Sequence, residues 1–194
     1  LGGTTAVAAV GGVATFSNLS LELVGTYTLG ASSGALTPAT SVTFSVTPAA
    51  AAALAFTVQP STTVAGAAIA PAVQVTARDA FGNTASGFGG TVTVARASGP
   101  TATLNGATAV AAVGGVATFS GLSFTQVGTY TLGASAAGLT GATSASFDIA
   151  PGAAAALFFT VQPATTVAGV GFGAQVTARD AFGNTATSFT GTVT

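Results

Sequence analysis

Internal repetition is the feature that most constrains the fold of this chain of 194 residues. The segment TAVAAVGGVATFS at 5–17 recurs identically at 108–120, an offset of 103, and VGTYTLGAS at 24–32 recurs at 127–135 with the same offset. Farther along, VTARDAFGNTA at 75–85 returns at 176–186, after a two-residue deletion. The unit is therefore about 100 residues, which suits a β-sandwich domain and exceeds the unit of most solenoids.

The repeat predicts where the domains divide, with Pro48 and Pro151 at the junctions. We expect 1–48 to be the C-terminal half of one domain, 49–150 a complete domain, and 151–194 the N-terminal half of a third. Either the chain is a window onto a longer tandem array, or separate copies join head to tail, with 151–194 of one completing 1–48 of the next. Half a sandwich exposes unpaired strand edges and half a core, so neither half is expected to persist alone.

Within one unit the hydrophobic pattern has a period of two, which is typical of β-strands. In the segment 73–78, for example, Val, Val and Ala are predicted to face inward, and Gln74, Thr76 and Arg78 outward. Clusters of Gly, Pro and Asn separate about seven such strands at intervals of roughly 8–12 residues. The sequence therefore predicts an all-β protein made of tandem immunoglobulin-like antiparallel β-sandwich domains.

The scarcity of reactive side chains excludes several classes of function. The chain has three basic and four acidic residues and no His or Cys, so acid–base relays, thiol nucleophiles and zinc sites lack their usual residues. We expect no enzyme activity, catalytic residue, cofactor or metal site. The scattered Arg residues form no basic stripe, so nucleic acid is not an expected partner.

A mean hydropathy of +0.73 raises the question of a membrane protein. The longest purely apolar run, Ala49 to Phe56, is much shorter than the ~18 to 20 residues of a transmembrane helix. The hydropathy comes instead from Ala, Val and Gly. We therefore expect no transmembrane segment in this part of the protein.

The clearest local motif is DAFGN at 79–83, repeated at 180–184. An Asp that opens a turn accepts backbone N–H bonds, and Gly or Asn supplies the conformation that a tight reversal needs. One carboxylate per turn is a poor calcium ligand set, which favours a structural turn over a cation site. The predicted turn residues are Asp79, Gly82, Asn83, Asp180, Gly183 and Asn184. The preceding Arg78 and Arg179 are expected to make local surface contacts.

The segment GTYTL occurs at 25–29 and again at 128–132. It is similar to the strand that carries a tyrosine corner in immunoglobulin-like domains, where the hydroxyl bonds back to the backbone. Tyr27 and Tyr130 are the corresponding residues. An aromatic ligand platform is the alternative, but one Tyr per unit favours the corner.

Taken in order, these motifs resemble the bacterial immunoglobulin-like tandem repeats of invasin- and intimin-type surface adhesins. The resemblance rests on FTVQP at 56–60, DAFGN at 79–83, GVATFS at 115–120 and GTYTL at 128–132. It implies an extracellular β-sandwich that acts as a stalk or spacer and places the protein at the cell surface or among secreted proteins. The surface of this chain carries much less charge than is usual in such adhesins.

Low surface charge provides the main functional hypothesis, because near-neutral proteins tend to associate. Thr-rich β-faces pack side by side without stripping water from ions. We therefore expect a structural extracellular repeat protein that forms or lines a cell-surface fibre, filament or sheath, with other copies of itself as lateral or head-to-tail partners. The alternatives are a passive stalk of a large adhesin, and a carbohydrate- or surface-binding module. O-linked glycans on the outward Thr and Ser residues are a further expected partner.

Overall fold

Every regular element of the protein is a β-strand in the computed structural model, which describes residues 1–194. The all-β prediction is confirmed. No helix is present that is long and apolar enough to cross a membrane. The strands are β1 (Gly25–Tyr27), β2 (Gly30–Ala31), β3 (Ala39–Thr40), β4 (Phe44–Val46), β5 (Ala53–Val58), β6 (Thr63–Val64), β7 (Val73–Arg78), β8 (Thr91–Ser98), β9 (Ala109–Ala111), β10 (Val116–Phe119), β11 (Gly128–Ser135), β12 (Ala142–Thr143), β13 (Phe147–Ala150), β14 (Ala156–Val161) and β15 (Gln175–Arg179).

Two sheets form a sandwich within residues 49–150, which we call the complete unit. One sheet has the order β10-β7-β5, and the other has the order β6-β13-β11-β8-β9, with β12 beside β11. All pairs are antiparallel except β13 with β6. Two of these strands, β6 and β12, have only two residues each, so the longer strands agree with the expected number of about seven.

The core of the complete unit lies between the two sheets. A cluster of 19 buried hydrophobic residues extends from Leu54 to Ile149. The rings of Phe124 and Tyr130 stack at its centre, with centroids 4.1 Å apart and an interplanar angle of 10°. Because burying one large apolar side chain contributes about 1.5–3 kcal/mol, this cluster is the main source of stability.

The inward positions of β7 are buried as predicted, and one of its outward positions is buried as well. Gln74 and Arg78 are partly exposed, whereas Thr76 is only 3% exposed. Thr76 lies on the face of β7 opposite the core residues Val75 and Ala77, and it is covered there because β7 lies between β5 and β10 and the hydroxyl of Thr57 on β5 reaches it at 2.8 Å. The repeat reproduces this hydroxyl pair between Thr160 and Thr177, at 3.1 Å.

The sheets in the two end segments have only two strands each. In 1–48, β1 pairs with β4 and β2 with β3, and in 151–194, β14 pairs with β15. Their large apolar side chains are exposed where the complete unit buries the equivalents. Leu157 is 50% exposed and its equivalent Leu54 is 6% exposed.

Candidate functional site at the junctions between repeats

The DAFGN turns follow β7 and β15 and lie where one unit meets the preceding one. In the first turn, Asp79 N donates to Asn83 O at 2.9 Å and Gly82 N donates to Asp79 O at 3.1 Å. In the second turn the equivalent distances are 2.9 Å and 3.1 Å. Gly82 has a φ of 86°, a left-handed conformation that strains any residue with a Cβ. The two copies of the motif therefore form the same turn.

The Asp79 carboxylate organises the first turn and holds the linker that enters the complete unit. Oδ1 accepts from Phe81 N at 3.0 Å and from Asn83 N at 2.9 Å. Oδ2 accepts from Ala49 N at 3.1 Å and from the Asn83 side chain at 2.9 Å. Burial by itself raises the pKa of Asp79, but these N–H donors, the Asn83 side chain foremost, outweigh it and hold the pKa below its ordinary value. The carboxylate is thus fixed in its charged form.

The Asn83 side chain reaches from this turn into the preceding unit. Its Nδ2 donates to Glu22 O at 2.7 Å, and its Oδ1 accepts from Val24 N at 3.2 Å. One amide therefore bonds both a carbonyl and an N–H group of the same loop, as a neighbouring β-strand does. We call 22–24 and its repeat, 125–127, the receiving loops.

The second junction repeats this arrangement between the complete unit and 151–194. Asn184 Nδ2 donates to Thr125 O at 2.9 Å, and Asn184 Oδ1 accepts from Val127 N at 3.3 Å. The carboxylate of Asp180 accepts from Gly152 N at 3.0 Å, as Asp79 does from its own linker. Hydrogen bonds led by the Asn184 side chain outweigh desolvation and lower the pKa of Asp180 as well. We refer to Asp79 and Asp180 as the junction aspartates.

The tyrosines predicted to form corners lie directly behind the receiving loops. Tyr130 is fully buried, and its hydroxyl donates to Gln126 O at 2.9 Å, between the two residues that Asn184 binds. The half-buried Tyr27 donates to Leu23 O at 3.0 Å in the preceding repeat. Burial raises the pKa of Tyr130, against a smaller lowering effect of Arg96. Each tyrosine thus holds the loop that the next unit binds.

An aromatic contact adds to the second junction. The Phe182 ring of the DAFGN turn lies against Gly66 of the complete unit, where a Cβ would clash with the ring. Gly66 has a φ of 80°, so both its backbone and this contact favour glycine. The equivalent Phe81 of the first junction is 53% exposed.

The arginines that precede the two DAFGN turns make local contacts that differ between the copies. Arg78 Nη1 donates to Gly82 O at 2.6 Å, across the turn. The guanidinium of Arg179 lies 5.1 Å from the centre of the Phe158 ring, a distance at which a cation is attracted to the ring face. Neither contact crosses a junction.

The junction carboxylates do not have the surroundings of a cation site. Each is surrounded by N–H donors, which point positive charge toward the oxygens. The chain has no group of three or more His, Cys, Asp or Glu side chains able to hold a metal. The arrangement is suited to binding backbone and to fixing the linker.

Sequence reasoning identified both motifs but not that they meet across a junction. The receiving loops use main-chain atoms, so the side chains of Glu22 and Thr125 differ without changing the contact. The available signal was the recurrence of both motifs in the same order, GTYTL at 25 and 128 and DAFGN at 79 and 180, which is what a contact between consecutive units requires.

Comparisons with known proteins give similarities to solved structures but to no family model or curated protein. No family model matches the chain, and no curated protein matches it. A solved structure of surface layer protein SbsC, domains 4–9, is similar over 84% of this chain, with 19% sequence identity and a TM-score of 0.38. The match covers 25% of that structure's chain.

Proposed function

We propose that this chain is a non-enzymatic structural repeat of an extracellular or cell-surface protein, whose junctions hold successive sandwiches in a fixed relative orientation. The observation that carries the proposal is the bidentate contact of Asn83 and Asn184 with the preceding receiving loops. Domains joined by a single linker move relative to each other unless their interface restrains them. Here the restraint is repeated at each junction.

Three linked contacts support a stiff joint. The junction aspartates bind the linker N–H groups, the asparagines bind the receiving loops, and the tyrosines hold those loops from behind. Each hydrogen bond contributes only about 0.5–1.5 kcal/mol, but their geometry limits both bending and twisting. A series of such units makes a rod, which is the property that a stalk, fibre or sheath requires.

The cell-surface location is supported by the resemblance to invasin- and intimin-type repeats. In those adhesins such domains act as stalks that carry a binding domain away from the cell. The contacts at 83 and 184 give this role a physical basis, since a spacer extends reach only if its joints resist folding back. Our proposal therefore assigns the chain to the supporting part of a surface protein.

Small-angle X-ray scattering of the 194-residue chain tests this function. We expect the wild-type profile to fit a single arrangement of units, and an Asn83→Ala/Asn184→Ala double variant to require a broad ensemble. Asn105→Ala is the matched control, because this exposed side chain bonds only within its own unit. A double variant that scatters like the wild type contradicts the proposal.

Lateral self-association is a second candidate function, favoured by the location of the charges. Asp79 and Asp180 are buried in the junctions, and Arg78 and Arg96 bond carbonyl groups of neighbouring turns. The sides of the complete unit are left with mostly Thr, Ser and Ala. Sedimentation at high concentration tests this function, and a single monomeric species at all concentrations rules it out.

A further inference from the structure

One of the four asparagines of the chain is followed directly by glycine. Asn105 precedes Gly106. Asn18 precedes a leucine, and Asn83 and Asn184 each precede a threonine. The main-chain nitrogen of the next residue can attack the side-chain amide of an asparagine, because the two groups close a five-membered ring. Glycine has no Cβ to hinder this approach, so the step at 105–106 is the least obstructed of the four.

The side chain of Asn105 is loosely held in the complete unit. Asn105 and Gly106 are both exposed. The side-chain Nδ2 makes two long contacts, to Ser123 O at 3.3 Å and to Thr103 O at 3.5 Å, and Oδ1 accepts no hydrogen bond from the chain. Both distances exceed the usual upper limit of about 3.2 Å for an N–H···O bond. The amide is therefore free to turn toward Gly106.

The other three asparagines are fixed by hydrogen bonds to both side-chain atoms. Asn83 and Asn184 donate from Nδ2 to carbonyl groups of the receiving loops, at 2.7 Å and 2.9 Å, and each accepts a loop N–H at Oδ1. The N–H of Thr4 donates to Oδ1 of Asn18 at 2.9 Å, and its hydroxyl accepts from Nδ2 at 3.1 Å. In each of these amides the nitrogen that would leave as ammonia is held in place.

The main chain around Asn105 leaves the attacking nitrogen available. Asn105 N donates to Ser123 O at 2.9 Å, and Asn105 O accepts from Ser123 N at 3.2 Å. The next N–H, that of Gly106, has no acceptor in the chain. Gly106 has a φ of 102°, and a Cβ there would lie 2.6 Å from Gly121 O. The fold therefore requires glycine at the one position where glycine also eases the attack.

We propose that Asn105 is a site of spontaneous deamidation in the folded protein, with Gly106 N as the attacking atom. Gly106 N forms a bond to Asn105 Cγ, the Cγ–Nδ2 bond breaks, and Nδ2 leaves as ammonia with the proton that Gly106 N gives up. The product is a cyclic imide. Water then opens one of the two ring C–N bonds that involve Gly106 N. Opening at Cγ gives aspartate, and opening at the main-chain carbonyl gives isoaspartate, in which the main chain runs through Cγ.

Either product changes both the charge and the contacts at this position. A carboxylate replaces a neutral amide in a chain whose formal net charge is only −1. It faces the carbonyl oxygens of Thr103 and Ser123 without the N–H donors of the amide. Isoaspartate also lengthens the main chain at the bridge to Ser123. We therefore expect modification to loosen this bridge, and the inference does not depend on the proposed junction function.

Ageing of the 194-residue chain at mildly alkaline pH, followed by peptide mapping, tests the proposal. We expect conversion of amide to carboxyl at Asn105 to be at least about tenfold faster than at the other three asparagines, which corresponds to about 1.4 kcal/mol in the activation barrier. Isoaspartyl methyltransferase labels the isoaspartate product. Asn105→Gln is the matched control, because its longer side chain disfavours ring closure. The variant is expected to fold, since Gly2 and Ser20 form the same bridge without an amide.

Free peptides separate the effect of the fold from that of the local sequence. The references are TATLNGATA, residues 101–109, and DAFGNTA, which occurs at both 79–85 and 180–186. We expect Asn105 of the folded chain to react within about tenfold of its peptide, and Asn83 and Asn184 to react more than about tenfold slower than theirs. Greater protection of Asn105 than this, or earlier reaction at another asparagine of the folded chain, overturns the proposal.

Discussion

Replacing Asn184 with alanine tests the junction at the atoms that form it. The substitution removes two bonds between units, from Nδ2 to Thr125 O and from Val127 N to Oδ1, and one bond within the turn, from Nδ2 to Asp180 Oδ2 at 2.9 Å. The backbone N–H of residue 184 still bonds Asp180, so the turn itself keeps most of its contacts. Both side-chain bonds between the units are therefore lost, whereas the turn loses one of its bonds.

The weakening of the contact between units follows from the two bonds that cross the junction. Each is a neutral hydrogen bond worth about 1 kcal/mol net, and the groups left behind are partly exposed and can bond water. The junction contact is therefore weakened by about 2 kcal/mol. Since about 1.4 kcal/mol changes an equilibrium tenfold, the open population of the junction increases about 30-fold.

Hydrogen exchange of the Val127 amide measures this population, because that N–H is the donor to Asn184. Exchange through local opening reports the free energy of that opening. We expect Val127 to exchange about 30-fold faster in Asn184→Ala. The Leu132 amide, which bonds the buried Ser144 hydroxyl inside the core, is expected to keep its rate.

Asn105→Ala serves again as the matched substitution and is expected to leave Val127 unchanged. Two results refute the reasoning. One is a change at Val127 smaller than about threefold, which would mean that the asparagine does not limit opening. The other is equal acceleration at Leu132, which would show loss of the whole fold.

Three further predictions concern neighbouring contacts. Tyr130→Phe removes the hydroxyl bond to the receiving loop and is expected to lower the free energy of unfolding by about 1 kcal/mol in urea titration, with a smaller effect for the half-exposed Tyr27→Phe. Gly66→Ala and Gly169→Ala both place a Cβ at a positive φ, but only the first meets the Phe182 ring. Val127 exchange is therefore expected to accelerate only in Gly66→Ala, and equal rates would contradict the assigned contact. The pKa of the junction aspartates is lowered by folding, so their contribution is complete above the unfolded pKa of about 4 and is lost as the pH falls through the lower folded values. We expect receiving-loop amides to lose protection only below about pH 4, and loss beginning near neutral pH would exclude this cause.

The fold could be predicted from the sequence because the alternation of hydrophobic residues indicates β-strands and the internal repeat gives the size of the domain. Val73, Val75 and Ala77 occupy every second position and are all fully buried. Thr76 shows the limit of that reasoning, since alternation describes one face of a strand and not what covers the other. Its burial depends on the neighbouring Thr57 of β5, a partner that a single strand does not reveal.

The junction was harder to predict from the sequence than the fold, because the receiving loops contribute only main-chain atoms to it. The sequence marks Asp79 and Asn83 as turn residues, which they are by conformation. Asn83 also binds Glu22 O and Val24 N, and backbone groups are present at every residue. Only the folded arrangement shows which of them lies within reach.

The same main-chain recognition explains how the repeats can diverge while their joints are kept. The loop at 22–24 has the sequence Glu-Leu-Val and the loop at 125–127 has the sequence Thr-Gln-Val. Each is nevertheless bound in the same way by its own asparagine, Asn83 or Asn184. The contact at the joint therefore depends on the side chains of the turn and the tyrosine and on the main chain of the loop. Since the bonds join N–H groups to carbonyl, amide and buried carboxylate oxygens, salt screens them far less than it screens exposed ion pairs. A joint of this kind needs no charged residues on the sides of the units, because its only charged groups are the buried junction aspartates.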